Sequence, residues 1–335
     1  MKIALFEVPK EEQLVYSQLG NGLEISFFEE KLDENNVGKI KDADIISVFI
    51  NSEISKEIVD LLPNLKLVNT SSTGFDHIDI EYCASKGIKV SNVPAYGSVT
   101  VAEFVFALLL NISRKVEKAN NQLRQDSDFS ITTLRGFDLK GKTLGVIGTG
   151  KIGKNVIKIA RGFGMNVVAY DLYADLAFAK ENNFEYKSLL EVISASDVVT
   201  LHTPYTKENH HLINQENISK MKKGAYLINT ARGALVDTKA LIWGIKEGII
   251  AGAGLDVLED ERDLKEEIKI ISNEGSGVIK DYKTLLEDHV LIDMPEVIVT
   301  PHIAFYSKEA EEEIIKTTIE NIKGFINNQI QNLVK

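Results

Sequence analysis

The sequence predicts an α/β protein built from two doubly wound parallel-sheet domains. Three observations carry that reading. Short apolar runs alternate with helix-period segments along most of the chain. The alternation starts at the N-terminus and restarts at Leu144, after a long apolar helical stretch. A chain of 335 residues is also too long for one ordinary hydrophobic core.

In the first hundred residues, Ile3–Phe6, Leu23–Phe28, Ile45–Ile50, Leu67–Thr70 and Lys89–Asn92 read as strands, with helices at Ser55–Leu61 and Ile80–Lys86. This is a small flavodoxin-like domain. Ser98–Gln125 reads as one long helical segment whose early residues are apolar on most faces, which suits a bridge between domains or a subunit interface. Strands then follow at Thr143–Ile147, Asn166–Tyr170, Val198–Leu201, Tyr226–Asn229, Ala253–Leu255 and Val297–Thr300. The charged stretch Glu259–Asp293, with a turn at Gly275-Ser276-Gly277, reads as a surface excursion. A last helix, Ser307–Asn327, can return to the first domain and make it discontinuous.

Composition narrows the function classes. The apolar and charged fractions, 44% and 26%, are those of a soluble globular protein. A net charge of −11 without a Lys/Arg run argues against a nucleic-acid partner. The lone Cys83 has no disulfide partner and no metal-ligand spacing around it, so a structural thiol and no metal are expected. The first residues lack a signal-peptide core, and the apolar run Val101–Leu110 contains Glu103 and is too short to span a bilayer. A cytoplasmic protein with no membrane partner is expected.

The first chemical motif is Thr143-Leu-Gly-Val-Ile-Gly148-Thr-Gly150-Lys-Ile-Gly153, a strand followed by G-x-G-x-x-G and a helix. Gly148 allows the tight turn, Gly150 the approach of a pyrophosphate, and Gly153 the close packing of helix on strand. The helix N-terminus presents N–H groups and positive potential to phosphates. Asp171 stands 18 residues after Gly153, at the end of the next strand. Its carboxylate suits ribose hydroxyls and repels a 2′-phosphate, which predicts NAD over NADP.

Three titratable residues lie just past strand ends in the same half: Arg232, Glu261 and His302. Ligands of open parallel sheets bind at that edge. Reduction of a ketone needs a proton donor near neutrality, which histidine provides. A carboxylate beside it orients the ring, and an arginine grips a substrate carboxylate with paired donors. Each residue alone also suits a surface or structural role; their joint placement is what points to hydride transfer. His202 follows a strand and suits the cofactor cleft, whereas His210 and His211 read as loop residues.

Together Gly148–Gly153, Asn229-Thr-Ala-Arg-Gly233, Gly254-Leu-Asp-Val257 through Glu261, and Thr300-Pro-His-Ile-Ala-Phe-Tyr306 make a pattern. It resembles the D-isomer-specific 2-hydroxyacid dehydrogenases, most closely their D-lactate dehydrogenase branch, over nearly the whole chain. The resemblance implies a Rossmann NAD-binding domain at 98–302 and a substrate domain formed by 1–97 with 303–335. It gives Arg232 to the substrate carboxylate and carbonyl, His302 to proton transfer, and Glu261 to pairing with His302. It gives Asp256 to the nicotinamide carboxamide. Lys151, Ile152, Asp171, Thr203, Pro204, Asn209, Thr230 and Ala231 match cofactor-contacting positions. Thr73 and Gly74 match a loop that holds the substrate carboxylate through backbone N–H groups, and Tyr96 and Phe305 match pocket residues.

The resemblance implies a homodimer and a small 2-keto acid substrate, with pyruvate first. Phe49 aligns with a position that is tyrosine in some lactate dehydrogenases, which opens D-2-hydroxyisocaproate or aromatic acids as alternatives. A non-catalytic NAD-sensing scaffold, as in corepressors that resemble this family, is the alternative from another class.

Overall fold

The computed structural model describes residues 1–20, 22–94, 96–272 and 278–334. The predicted turn at 275–277 lies outside them. The chain divides into two compact units, Met1–Tyr96 with Tyr306–Lys335, and Gly97–Phe305.

The first unit holds strands β1 (Lys2–Phe6), β2 (Glu24–Phe28), β3 (Ile45–Val48), β4 (Leu67–Thr70) and β5 (Lys89–Ser91). Their order is β2-β1-β3-β4-β5, and every pairing is parallel. All four residues of β3 and of β4 are buried, as a parallel sheet covered on both faces requires. On one face Ile315, Ile319 and Ile322 of the helix Lys308–Ile326 cluster with Ile3, Leu5, Ile45 and Leu67. On the other lie Ile58, Val59 and Cys83. Cys83 is fully buried, and desolvation pushes its thiol up to about 11, so it is inert.

The second unit holds β6 (Thr143–Ile147), β7 (Asn166–Tyr170), β8 (Glu185–Tyr186), β9 (Val198–Leu201), β10 (Ala225–Asn229), β11 (Ile250–Leu255) and β12 (Val297–Val299). Their order is β12-β11-β10-β9-β6-β7-β8, again all parallel. The order reverses at β6, which places the topological switch point between β6 and β9. The register brings the strand ends level. Tyr170, Ile147, Leu201, Asn229, Leu255 and Val299 pair in sequence across the sheet. The residues that follow them therefore emerge on one edge.

Three expectations need correction. The segment Ser98–Gln125 is two helices, Ser98–Arg114 and Val116–Asp126, because Lys115 adopts a left-handed conformation with φ 53°. The side chain of Asn111 accepts the Glu117 N–H at 2.8 Å and supports that break. Val101, Ala102, Val105, Phe106, Leu108 and Leu109 of the first helix are buried, most of them in a cluster with Leu144, Val146, Val156, Ile157 and Ala160 of its own unit, while Val99 is exposed. The two-residue strand β8 was too short for periodicity to reveal, and β11 starts three residues before the predicted Ala253, its apolar run being interrupted by Gly252. The stretch 259–293 is not simply superficial. It forms helices Glu261–Ser272 and Tyr282–Asp293, and Asp263, Leu285, Asp288 and Leu291 are buried. Among the described residues, no helix is long and apolar enough to cross a membrane.

Candidate active site

The loop after β6 is shaped by its glycines. Gly148 has φ +93°, and a Cβ there would lie 2.6 Å from the backbone of His202. A Cβ on Gly153 would lie 2.1 Å from the Gly148 carbonyl oxygen, so the helix Lys151–Gly162 closes directly onto the loop. Gly150, its N-cap, offers no side-chain cap and has nothing within 4 Å of its Cβ position. The first-turn N–H groups thus open onto free space bounded by positive helix potential, a cradle for a pyrophosphate. Lys151 is exposed beside it and Ile152 is half-buried.

Asp171 leaves the end of β7 toward this loop. Its Oδ2 accepts the Thr149 N–H at 2.6 Å and the Thr149 hydroxyl at 2.9 Å, and its Oδ1 accepts the Tyr173 N–H at 2.8 Å. Partial burial pushes the carboxyl up, but these bonds outweigh it and hold Asp171 below the usual aspartate range. It is an anion fixed next to the phosphate cradle. The Thr149 hydroxyl also meets the Tyr186 hydroxyl at 2.8 Å. Sequence reasoning missed this Thr149–Tyr186 brace, whose only trace was a threonine between the glycines.

After β9, the imidazole of His202 lies 2.9 Å from the Thr200 hydroxyl, and desolvation holds it neutral. Thr203 is half-buried and Pro204 exposed. Asn209 folds back on its own loop, accepting the Thr206 N–H at 2.7 Å and donating to the Pro204 carbonyl at 2.8 Å.

The loop after β10 carries Thr230, Ala231 and Arg232. Asn229 shapes it, accepting the Ala231 N–H at 3.0 Å and donating to the Arg232 carbonyl at 2.8 Å. Gly233 is obligatory, since a Cβ would lie 1.7 Å from the carbonyl oxygen of Leu258. The half-buried Arg232 is therefore locked against the loop after β11. Thr230 Oγ1 is, among the described residues, the buried side-chain polar atom without a hydrogen-bond partner. An orphaned hydroxyl on the same sheet edge as the phosphate cradle, two strands along from it, fits a dinucleotide lying along that edge.

The loops after β11 and β12 meet at His302. The His302 Nδ1 lies 2.9 Å from Glu261 Oε2, and Glu261 Oε1 accepts the Leu258 N–H at 3.2 Å. The two side chains are 24% and 25% exposed, so the pair is fixed yet accessible. His302 has φ 57° and donates its N–H to the carbonyl of Asp256 at 2.9 Å. The Asp256 carboxylate accepts the Thr300 hydroxyl at 2.6 Å, the Ile303 N–H at 2.9 Å and the Ala304 N–H at 2.8 Å. The resemblance gave Asp256 to the cofactor; in the structure it is buried and engaged by the loop that carries His302. Phe305 ends this unit, its Cβ 3.5 Å from a Cβ position on Gly97.

In the other unit, the Thr73 hydroxyl donates to the Val93 carbonyl at 2.9 Å, and Asn92 Nδ2 donates to the Thr73 carbonyl at 2.8 Å. Ser72 Oγ donates to the Gly74 carbonyl at 2.6 Å. The loops after β4 and β5 are thereby laced together, with Thr73 exposed and Gly74 and Tyr96 half-buried.

Residues 106–304 match the model of the D-isomer specific 2-hydroxyacid dehydrogenase NAD-binding domain. The chain is 36% identical to a D-lactate dehydrogenase of Escherichia coli over 330 residues, covering 97% of this chain and 96% of that one. It is 40% identical to an aromatic 2-oxoacid reductase of Clostridium sporogenes over 288 residues, covering 85% and 83%. The solved D-lactate dehydrogenase of Aquifex aeolicus, complexed with NAD and lactic acid, superposes with a TM-score of 0.89 at 38% identity, over 99% of this chain and 98% of that one.

Proposed function

The chain belongs to the D-isomer-specific 2-hydroxyacid dehydrogenases, NAD-dependent oxidoreductases of the CH–OH group, and from that premise we propose that it reduces pyruvate to D-lactate. The observation that carries the reading is the level edge of the second sheet. There Gly148, Asp171, Thr230 and Asp256 each follow directly on a strand end, and Arg232 and His302 come two residues later.

In this reading Gly148, Gly150, Gly153 and the first turn of the helix, with Lys151 and Ile152, hold the pyrophosphate. Asp171 takes the adenosine ribose hydroxyls, and the orphaned Thr230 hydroxyl with Ala231, Thr203 and Pro204 borders the rest of the cofactor. Bound NADH supplies the hydride. Arg232 grips the substrate carboxylate and polarises the carbonyl. His302 presents Nε2, the ring nitrogen turned away from Glu261, and delivers a proton to the carbonyl oxygen. Glu261 fixes the orientation of the ring. Asp256 keeps the His302 loop in its left-handed turn. Thr73, Gly74, Tyr96 and Phe305 are assigned to the substrate, and a homodimer to the assembly, on the family resemblance.

The test is kcat/KM with NADH for pyruvate, 2-ketoisocaproate, phenylpyruvate and hydroxypyruvate. Pyruvate is expected to lead; a preference for the branched or aromatic acid overturns the lactate assignment. The second reading, an aromatic or branched 2-keto acid reductase, draws on the C. sporogenes relative and on Phe49. Light scattering at micromolar concentration tests the dimer.

A further inference from the structure

A second cluster of ligating side chains lies apart from the Arg232–Glu261–His302 group. The turn Lys207–Asn209 ends at His210, and His211 follows with φ 52°. That left-handed residue puts two consecutive imidazoles on one side, stacked with ring centroids 3.8 Å apart, where extended backbone would send them to opposite sides; the His210 ring has to turn out of the stack for both in-plane lone pairs to meet one ion. The His211 N–H is anchored on the Ala234 carbonyl at 2.9 Å, and Ile213 pairs with the segment after β10. Glu259 arrives from the loop after β11. Its Oε1 lies 2.5 Å from His211 Nε2, and its Oε2 accepts the Thr238 N–H at 3.2 Å. One ligand atom from each of His210, His211 and Glu259 lies within 4.8 Å of the other two.

We propose that His210, His211 and Glu259 form a binding site for one divalent transition-metal ion, with Zn²⁺ the best match. Two imidazoles and one carboxylate are a donor set of borderline softness that suits Zn²⁺ and leaves one position for water. The ion takes the place of the proton between His211 and Glu259. Those two atoms then open from 2.5 Å to the roughly 3.4 Å spanned by ligands about 2.1 Å from a tetrahedral ion. Behind the ring, His211 Nδ1 lies 3.9 Å from Asp237 Oδ2, beyond hydrogen-bond distance but near enough for a carboxylate to hold the ring once the ion draws it in. His210 is exposed and gives the ion a way in.

The experiment uses the full chain, free of any histidine tag and stripped with chelator, titrated calorimetrically with Zn²⁺. Bound Co²⁺ is followed by its visible d–d absorption. The expected result is one ion per chain, a tetrahedral Co²⁺ spectrum and a raised melting temperature. His210→Ala keeps the His211–Glu259 pair and so keeps the fold; it is expected to weaken binding roughly tenfold or more. Glu259→Gln is expected to weaken it as well. His289→Ala, which removes a histidine paired with a carboxylate (Glu267, 2.6 Å) outside the cluster, is the control and is expected to change nothing. Absence of stoichiometric binding, equal affinity in His210→Ala, or an equal loss in His289→Ala overturns the site.

Discussion

Thr230→Val separates what the second sheet edge does for the empty protein from what it does for the cofactor. The Thr230 hydroxyl is buried, 9% exposed for the residue, and without a partner among the described residues. A buried polar group left unsatisfied costs about 1–3 kcal/mol. Valine keeps the shape and removes the orphan. The cofactor-free chain is therefore expected to gain up to that amount, about 2–4 °C of melting temperature per kcal/mol for a domain of this size. If the hydroxyl bonds NADH, the same change removes a hydrogen bond of about 0.5–1.5 kcal/mol and weakens NADH binding roughly 2- to 12-fold.

Thr149→Val is the matched control. It is also a buried residue, but its hydroxyl is bonded to Asp171 and Tyr186, so valine there is expected to destabilise the empty chain by about 1 kcal/mol. Melting curves without cofactor and NADH fluorescence titrations read both quantities. A Thr230→Val chain that melts lower, as Thr149→Val should, or that binds NADH with unchanged affinity, refutes the reasoning.

Three further outcomes are expected. His302→Ala abolishes turnover while NADH binding stays nearly unchanged; near-normal turnover removes His302 from proton transfer. Asp171→Ala relaxes the discrimination against NADPH in kcat/KM, and a wild-type preference for NADPH contradicts the role given to this carboxylate. Asp288 is fully buried, and desolvation with neighbouring Glu259 and Asp260 pushes its carboxyl up to about 7, against 3.8 when unfolded. The folded chain holds that proton more tightly, so the contribution is present below pH ~4 and lost as the pH rises to ~7, at most about 4 kcal/mol. Asp288→Asn should flatten the fall in melting temperature between pH 5 and 8, and an unchanged slope excludes it.

What was legible in the sequence was whatever backbone geometry forces into residue type. Gly148 and Gly153 could be read because no other residue fits a +93° turn or a 2.1 Å approach. The strands could be read because a buried parallel strand is a continuous apolar run. Arg232, Glu261 and His302 could be placed only as residues past strand ends; that His302 and Glu261 touch depends on a β11–β12 register that no local pattern encodes. Gly233 went unremarked as a packing residue for the same reason, since its neighbour Leu258 is remote in sequence. The Lys115 break was hidden because a lysine in a left-handed turn leaves no compositional mark. The half-burial of 259–293 was hidden because its buried groups include Asp263 and Asp288, which read as surface.

Those buried carboxylates belong to a wider device. Residues past strand ends must leave the ladder, and several do so in the left-handed region, which costs a non-glycine residue about 1–2 kcal/mol. His302 and Glu7 are two of them, and His211 adopts the same conformation further along the loop after β9. Each lies next to a carboxylate that gathers donors from the adjoining loop. Asp256 takes Thr300, Ile303 and Ala304 around His302. Glu259 takes His211 and Thr238. Glu7, itself left-handed, takes Phe49, Asn51 and Ser52 in the first unit. Asp171 does the same for Thr149 and Tyr173 at the phosphate cradle. A hydrogen bond to a charged group contributes about 1.5–3 kcal/mol, so two or three of them exceed the local strain. Part of the excess of acidic residues is thus internal scaffolding. Replacing one such carboxylate by alanine should loosen its loop before it unfolds the domain, and at Asp256 that loss should reach His302 through Thr300, Ile303 and Ala304.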